Sequence, residues 1–403
     1  MNKVCRKWAA LAMGLLLLPL SACRQGEKES PLPVYDAYRE QYDHLAGFLS
    51  LTEEQKQNYD AVFTAVTEQS DRDNVLHDGD ESGAESLGLR IELPQKLSDG
   101  RAVDALFDAF VTDNPQFFYI GSRYTYEGYR VGDRAQYTAL SLTMTMNAAE
   151  RRAAAAKLEN AVAELTEELT GREPFWQEVL LHDRLIARCR YDQTAADSAD
   201  PDREYPFAFT AYGALVEGKA VCEGYARAFS LLCRRVGIPC TTVNGVDLST
   251  KTAHMWNLVT LDGEPYHVDV TWDDRGDMPV HIYLNLTAEE ISRTHRLDAD
   301  SPGGDAAATK AGYYRAIGRY QERYDRAAIA AAVAEAVQNG ETTVELQFPP
   351  DKLPSIGLFV KNRTWFSEAV NSRLPEGTRL WTYSFELSGP YGVLILTKQE
   401  TGQ

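Results

Sequence analysis

The sequence predicts an α+β protein whose central core packs one helix on an antiparallel sheet. The helix is predicted over residues 222–236, because apolar residues recur there at helical spacing. Two short strands, 254–260 and 265–270, alternate apolar and polar residues and are joined by Asp262-Gly263, a hairpin signal. Helical and alternating patterns also occur before and after this core, so flanking regions of the same mixed class are expected.

The length and the net charge of the chain narrow the classes of protein to which it can belong. A chain of 403 residues is long enough for two or three domains, and its 44% hydrophobic and 25% charged residues are ordinary for a globular protein. The net charge of −18 argues against a nucleic-acid partner and against electrostatic docking on anionic lipid. An acidic surface that keeps an exported protein soluble is the simpler interpretation.

The chain begins with a predicted signal peptide, residues 1–22. Basic residues precede an apolar run at 8–20, which is too short and wrongly flanked for a membrane-spanning helix. The run ends in Leu20-Ser21-Ala22-Cys23, which resembles a bacterial lipobox. That resemblance implies that Cys23 carries acyl chains such as palmitate and anchors the protein on the extracytoplasmic face of a bacterial membrane. An ordinary signal with a chance cysteine is the alternative. Residues 23–33 are polar and predict a tether.

The N-terminal region, residues 34–170, is predicted as α+β and shows no catalytic pattern. Two helices are expected before residue 71, with Thr52 as the N-cap of the second. Further helices are predicted at 101–111 and 148–169, the last capped by Asn147, and strands at 87–93, 116–120, 123–130 and 136–146.

The C-terminal region, residues 310–403, is also predicted as α+β. The patterns predict helices at 312–338 and 365–372, with Asp325 as an N-cap, and strands at 342–348, 356–360, 379–387 and 391–397. Between the two regions, further core helices are predicted at 175–191 and 207–216, and further strands at 240–246 and 280–285.

Three residues of the core have the chemistry of a nucleophile, its base and the group that orients the base: Cys222, His254 and Asp269. Cys222 is placed at the N-terminus of its helix, where unpaired N–H groups and the helix dipole stabilise a thiolate. The same N–H groups can hold an oxyanion. A hairpin laid across this N-terminus would bring His254 to the thiol and Asp269 to the imidazole.

Three phrases carry a family resemblance. They are Cys222-Glu223-Gly224-Tyr225-Ala226, His254-Met255-Trp256-Asn257 and Asp269-Val270-Thr271-Trp272-Asp273. In this order they resemble the transglutaminase-like superfamily, papain-fold enzymes with a Cys-His-Asp triad. The resemblance covers about a quarter of the chain, within a predicted core domain at 171–300. It implies a papain-like core and attack on an amide of a peptide or a glutamine-like side chain. It favours a hydrolase or peptidase over a transglutaminase, and cell-envelope amides as substrates.

Other side chains are weaker candidates for the site. Tyr212 lies roughly where papain-fold enzymes place an oxyanion donor, although packing explains a tyrosine there as well. Trp256 and Trp272 are candidates for a substrate groove, with core packing as the alternative for each. His182 is expected to be a hydrogen-bonding residue of its helix rather than a second base.

The number and spacing of the cysteines bear on two alternatives, a disulfide bridge and a metal site. If Cys222 is the nucleophile, Cys189, Cys233 and Cys240 remain in the mature chain, and a Cys233–Cys240 bridge stays open. No Cys-x-x-Cys pair occurs, and His254 and His267 fall on different phrases, so no metal site is expected. No cofactor is expected either. The alternative function is a non-catalytic, membrane-tethered module that binds peptide or glycan. Such modules usually lack a triad residue, and this chain lacks none.

Overall fold

The computed structural model describes residues 45–69, 71–77, 85–276 and 279–399. The predicted signal peptide at 1–22, the lipidation site Cys23 and the tether at 23–33 lie outside these residues. Within the described ranges, every helix is too short or too polar to cross a bilayer.

The N-terminal region packs helices against a four-stranded antiparallel sheet of order β1-β2-β4-β3. Its elements are α1 Ala46–Ser50, α2 Glu53–Gln69, β1 Val75–His77, β2 Glu85–Leu97, α3 Gly100–Asp113, β3 Ile120–Val131, β4 Arg134–Met144 and α4 Ala148–Thr166. Both predicted caps are confirmed. Thr52 Oγ1 accepts from the Gln55 N–H, and Asn147 forms a capping box with Glu150.

The central region contains a five-stranded antiparallel sheet of order β10-β9-β8-β7-β11 and a two-stranded parallel pair, β5-β6. Its first elements are α5 Pro174–Arg188, β5 Arg190–Tyr191, α6 Gln193–Ala196, α7 Pro201–Glu204, β6 Lys219–Ala220 and α8 Cys222–Arg235. The rest are β7 Cys240–Asp247, β8 Ala253–Leu261, β9 Glu264–Val268, α9 Val270–Asp273, β10 Leu284–Leu286, α10 Ala288–Ile291 and β11 His295–Leu297.

Local sequence signals explain how α8 and the β8-β9 hairpin form. The helix buries Tyr225, Phe229 and Leu232 completely, as their helical spacing predicts. Asp262 and Gly263 both have positive φ, +53° and +81°, which a type I′ hairpin turn requires. The predicted hairpin is therefore confirmed.

Two polar side chains fix the position of α8. On the sheet side, Asn257 Nδ2 donates to the Ala226 carbonyl over 2.9 Å. On the other side, the Tyr225 hydroxyl donates to Asp274 just after α9 over 2.6 Å. The start of α8 is thus held between the sheet and the α9 turn.

The C-terminal region forms a three-stranded antiparallel sheet of order β12-β14-β13 with helices against it. Its elements are α11 Tyr313–Ala316, α12 Arg326–Gln338, β12 Thr343–Gln347, α13 Leu353–Lys361, α14 Arg363–Asn371, β13 Tyr383–Ser388 and β14 Val393–Lys398. Asp325 caps α12 as predicted, but residues 317–325 separate α11 from α12, so a single helix over 312–338 is wrong.

Three other predicted elements need correction. Residues 356–360 lie in α13 rather than a strand; Leu353, Ile356, Phe359 and Val360 are its buried side. Over so few residues, a run of bulky apolar residues is typical of a short buried strand and of a buried helix alike, so the pattern at 356–360 could not separate the two. The predicted strand 116–120 begins as a 3₁₀ turn at Pro115–Phe117. The predicted helix 207–216 is helical only from Ala211 onward, where it continues into a π-turn at Gly213–Glu217.

The N-terminal and central regions share one hydrophobic core, and a second cluster joins the central sheet to the C-terminal sheet. Arg234 of α8 also reaches across the first boundary, where its guanidinium donates to the Asp113 carbonyl over 2.6 Å. A smaller core lies within the C-terminal region itself. The domain boundaries at about residues 170 and 300 stay predictions.

A buried acid joins α5 to the middle of β10. Glu178 is fully buried, and its Oε2 accepts from Asn285 Nδ2 over 2.7 Å. The other oxygens of this pair, Glu178 Oε1 and Asn285 Oδ1, have no partner among the described residues. Burial raises the pKa of Glu178 from 4.5 to about 7. A proton on this carboxyl makes Glu178 a neutral acid with an O–H donor, which removes the cost of burying its charge.

We expect Glu178 to make the protein less stable as pH rises. Its folded pKa lies above its unfolded value, so its stabilising contribution is complete below about pH 4.5 and is lost as pH rises through about 7. The neutral amide of Glu178→Gln keeps a donor at every pH. The free energy of unfolding of the wild type relative to Glu178→Gln should therefore fall by on the order of 2 kcal/mol between pH 5 and pH 8. Parallel pH profiles of the two proteins in urea unfolding would contradict the assignment.

Candidate active site

Cys222 is the first residue of α8, as the sequence predicts. The preceding residue, Val221, occupies the N-cap and provides no side-chain acceptor, so the first N–H groups of α8 are uncapped by a side chain. Cys222 is partly exposed, whereas Cys189, Cys233 and Cys240 are buried and free. Among the cysteines of the described ranges, only Cys222 is therefore open to a substrate. The Cys233–Cys240 bridge is not formed, although these two thiols hydrogen-bond.

His254 contacts both of the other residues of the predicted triad. Its Nε2 lies 2.7 Å from Asp269 Oδ2, and its ring also hydrogen-bonds the Cys222 thiol. Because Nε2 faces the carboxylate, Nδ1 is the nitrogen available to the sulfur. His254 is 8% exposed and Asp269 is fully buried. The structure thus places the imidazole between the thiol and the carboxylate.

The electrostatics of the pair favour a charged imidazole. Burial alone would lower the pKa of His254, but the Asp269 carboxylate and then the Cys222 thiol outweigh it, raising that pKa to about 10. Burial would likewise raise the pKa of Asp269, and the His254 charge and hydrogen bond reverse this, so the pKa of the carboxyl falls well below its ordinary value. Asp269 therefore holds His254 as an imidazolium.

His295 is a residue of this site that sequence reasoning missed. Its Nε2 lies 3.0 Å from Asp269 Oδ2, the oxygen that His254 also contacts, and its Nδ1 meets the Thr294 hydroxyl at 2.8 Å. Pairing of β11 with β7 brings it there. No local pattern marks the residue, because β11 is only three residues long and follows the last of the three recognised phrases.

Tyr191 is a second missed residue. It belongs to β5, which pairs with β6 so that Tyr191 is opposite Ala220, two residues before Cys222. Burial raises the pKa of its phenol to about 12, with the charges of Cys222, Asp197 and Asp269 adding to the effect. The side chain is 40% exposed. Tyr191 is thus an exposed tyrosine close enough to Cys222 for the charge of that sulfur to act on its phenol.

The contacts of the other predicted site residues, Tyr212, Trp256 and Trp272, support different roles. Tyr212 is buried and stacks on Phe118 with ring centroids 4.6 Å apart, so its contacts support packing and not the oxyanion role. Trp256 is 1% exposed and donates to His267 Nδ1, so its contacts support the core-packing alternative and not the groove role. Trp272 is partly exposed and lies 5.8 Å from the His254 ring, so its groove role stays a prediction.

His182 lies in a separate buried cluster and hydrogen-bonds Asp183 and Asp273. This agrees with the expected hydrogen-bonding role rather than a second base. Two groups in the described ranges have ligand atoms close enough to hold an ion: His254, Asp269 and His295, and His182, Asp183 and His281. The sequence argument against a metal weighed the missing Cys-x-x-Cys pair and the separation of His254 from His267, whereas both of these groups join histidines to carboxylates from distant parts of the chain.

Comparison with known proteins identifies the core. Residues 159–270 match the transglutaminase-like superfamily model. A 92-residue segment, 20% of this chain, is 36% identical to kyphoscoliosis peptidase of mouse and of human, and it spans only 13% of those relatives. A solved structure described as a TGase is 15% identical, with coverage of 53% of this chain and 58% of that chain and a TM-score of 0.27. A candidate cysteine protease from Cytophaga hutchinsonii is 13% identical, with coverage of 37% and 61% and a TM-score of 0.23. The predicted α+β fold with a transglutaminase-like core is confirmed.

We expect Asp269→Asn to remove most of the charge stabilisation of His254. A neutral amide cannot offset the burial of an imidazolium, so the pKa of His254 should fall from about 10 to about 8 or below. Titration of the ring nitrogens by NMR measures this, with the His254 signal assigned from His254→Gln. His267 is the internal control: burial lowers its pKa to about 4, and its partners are Trp256 and Gly303. An unchanged His254 titration would contradict the ion pair.

Proposed function

We propose that the protein is a thiol acyl-transfer enzyme that attacks an amide, a proposal supported by the match of residues 159–270 to the transglutaminase-like superfamily model. Cys222 is the nucleophile, His254 the acid–base group and Asp269 the group that orients it. The observation that carries this proposal is the position of His254, whose ring contacts both the only partly exposed thiol of the described ranges and a buried carboxylate. Water is proposed as the acceptor, which makes the enzyme a hydrolase.

The first half-reaction forms a thioester. The Cys222 proton resides on His254, and the sulfur attacks the carbonyl carbon of the amide, which places negative charge on the carbonyl oxygen. The uncapped N–H groups at the start of α8 are in a position to stabilise this oxyanion. His254 then gives its proton to the leaving nitrogen, the C–N bond breaks, and the amine departs.

The second half-reaction releases the acyl group. His254, now neutral, takes a proton from water, and the resulting hydroxide attacks the thioester carbon. The C–S bond breaks, the carboxylic acid leaves, and the sulfur again pairs with protonated His254. Asp269 keeps Nε2 protonated throughout, so that Nδ1 faces the sulfur and the reacting groups.

Two considerations favour hydrolysis of peptide-like amides at the cell envelope. The mouse and human relatives are named as peptidases, although this chain spans only 13% of their length. The lipobox-like Leu20-Ser21-Ala22-Cys23 supports export and a lipid anchor at Cys23, which would hold the enzyme beside cell-envelope substrates. An amine acceptor would instead make the same thioester a transamidation intermediate.

Covalent trapping tests the nucleophile. A thiol-reactive amide analogue should label Cys222 about 100-fold faster than Cys189 or Cys233, because of these three thiols only Cys222 is partly exposed and paired with an imidazole. Peptide mapping by mass spectrometry measures the rates. His254→Ala should abolish the preference, whereas Cys189→Ala, which removes a buried thiol, should preserve it. Equal labelling of all cysteines would count against an activated thiol. Peptide binding that survives Cys222→Ala in a protein without turnover would favour the binding module.

Two tyrosine variants test which hydroxyl assists the reaction. Tyr191 is close enough for the Cys222 charge to raise its pKa, whereas Tyr212 stacks in an aromatic cluster. If Tyr191 donates to the oxyanion, Tyr191→Phe should lower kcat on the order of 100-fold and leave KM nearly unchanged. Tyr212→Phe is the matched control and should keep kcat within about twofold. The opposite pattern in steady-state kinetics would return the role to Tyr212.

A further inference from the structure

A second cluster of ligand-type side chains lies away from the Cys222 thiol. His182 and Asp183 are neighbours on α5, and His281 lies between α9 and β10. Asp183 Oδ1 is 2.9 Å from His182 Nδ1 and 3.0 Å from His281 Nε2. All three ligand atoms lie within 4.8 Å of one another. Two imidazole nitrogens and one carboxylate oxygen therefore converge on one point.

Each histidine of the cluster has a carboxylate on its other ring nitrogen. His182 Nε2 lies 3.2 Å from Asp273 Oδ2, and His281 Nδ1 lies 2.9 Å from Glu345 Oε1. Tyr314 and the His281 N–H donate to the second oxygen of Glu345, which fixes that carboxylate. Histidines that bind a metal usually donate their second N–H to a carboxylate in this way, because the bond orients the ring and makes the ligating nitrogen more basic.

We propose that His182 Nδ1, Asp183 Oδ1 and His281 Nε2 bind a divalent zinc ion. Nitrogen and carboxylate oxygen are zinc ligands, and bond lengths of about 2.0–2.1 Å give a tetrahedral site with edges of roughly 3.3 Å. The two N–O separations of 2.9 and 3.0 Å need only a small expansion to reach this spacing. Asp183 keeps 34% of its side chain exposed, so water can reach a fourth position. Three protein ligands and one open position form the proposed site.

The other group, His254, Asp269 and His295, is less suited to zinc. All three of its residues are buried, whereas Asp183 of the His182 cluster is partly exposed. The far nitrogens of its histidines meet a thiol and the Thr294 hydroxyl, not carboxylates. The orienting carboxylates therefore distinguish the His182 cluster.

The proposed ion lies where three parts of the chain meet. Its ligands come from α5 and from the segment after α9, and Glu345 comes from β12 of the C-terminal region. Asp273 ends α9, the four-residue helix that Asp269 begins as N-cap. Zinc would therefore fasten the C-terminal region to the turn that carries Asp269, whether or not the chain is an enzyme.

Metal binding to the full purified chain tests the site. The protein is stripped with a chelator and given one equivalent of Zn²⁺ or Co²⁺ in the presence of a competing metal indicator. We expect one ion per chain by mass spectrometry, visible Co²⁺ bands of a four- or five-coordinate site without a thiolate charge-transfer band, and a higher Tm with Zn²⁺. Asp183→Asn and His281→Gln should lose the ion, and Asp273→Asn should weaken binding about 10–100-fold.

His295→Gln is the matched control, because it removes a buried histidine of the other group and should bind zinc as the wild type does. If the wild type binds no ion at one equivalent, the proposal is overturned, and hydrogen bonds alone hold the cluster together. A thiolate band, or loss of the ion in His295→Gln, would assign the metal to the Cys222 site and equally overturn it. Should the Asp183 and His281 variants fail to fold, the wild-type ion content and Co²⁺ spectrum decide.

Discussion

The Asp269 carboxylate is the group on which the site depends. It is fully buried, and a buried carboxylate is costly unless hydrogen bonds and positive charge compensate it. Its Oδ2 lies within hydrogen-bond distance of Nε2 of both His254 and His295. Its Oδ1 accepts from the Trp272 N–H over 3.2 Å. These partners come from β8, from β11 and from α9. The need to compensate one charge therefore requires three separate elements to converge beside the thiol.

The same short helix connects this charge to a second one. Asp269 begins α9 and Asp273 ends it, and Tyr283 pairs with both ends: its carbonyl accepts from the Asp269 N–H and its own N–H donates to Asp273. Burial raises the pKa of Asp273 to about 6, against the opposing effect of His182. A displacement of either carboxylate would thus disturb the other through one helical turn.

Features of the site with a local cause were predictable from sequence. The thiol at a helix start, the Asp262-Gly263 hairpin and the order of the three triad residues can all be read along short segments. His295 and Tyr191 reach the site only through the β11–β7 and β5–β6 pairings. Strands of two or three residues are too short for a sequence pattern to predict such pairings. For Trp256 the sequence left both a groove position and a core position open, because an aromatic residue close to His254 in the chain suits either. Its 1% exposure decides the matter, and only packing reveals that.

The C-terminal region shows no catalytic pattern in its sequence, yet it supplies hydrogen-bonding partners near the site. Glu345 pairs with His281 in one place. In another, the Tyr391 hydroxyl lies 2.5 Å from the Thr294 hydroxyl, which contacts His295, which in turn contacts Asp269. Apolar residues of β14 pack on Tyr283 and Trp256 behind these bonds. Since an uncompensated buried polar group costs more than a well-paired one contributes, the C-terminal sheet is best understood as part of the enclosure that keeps the Asp269 pairing dry and fixed.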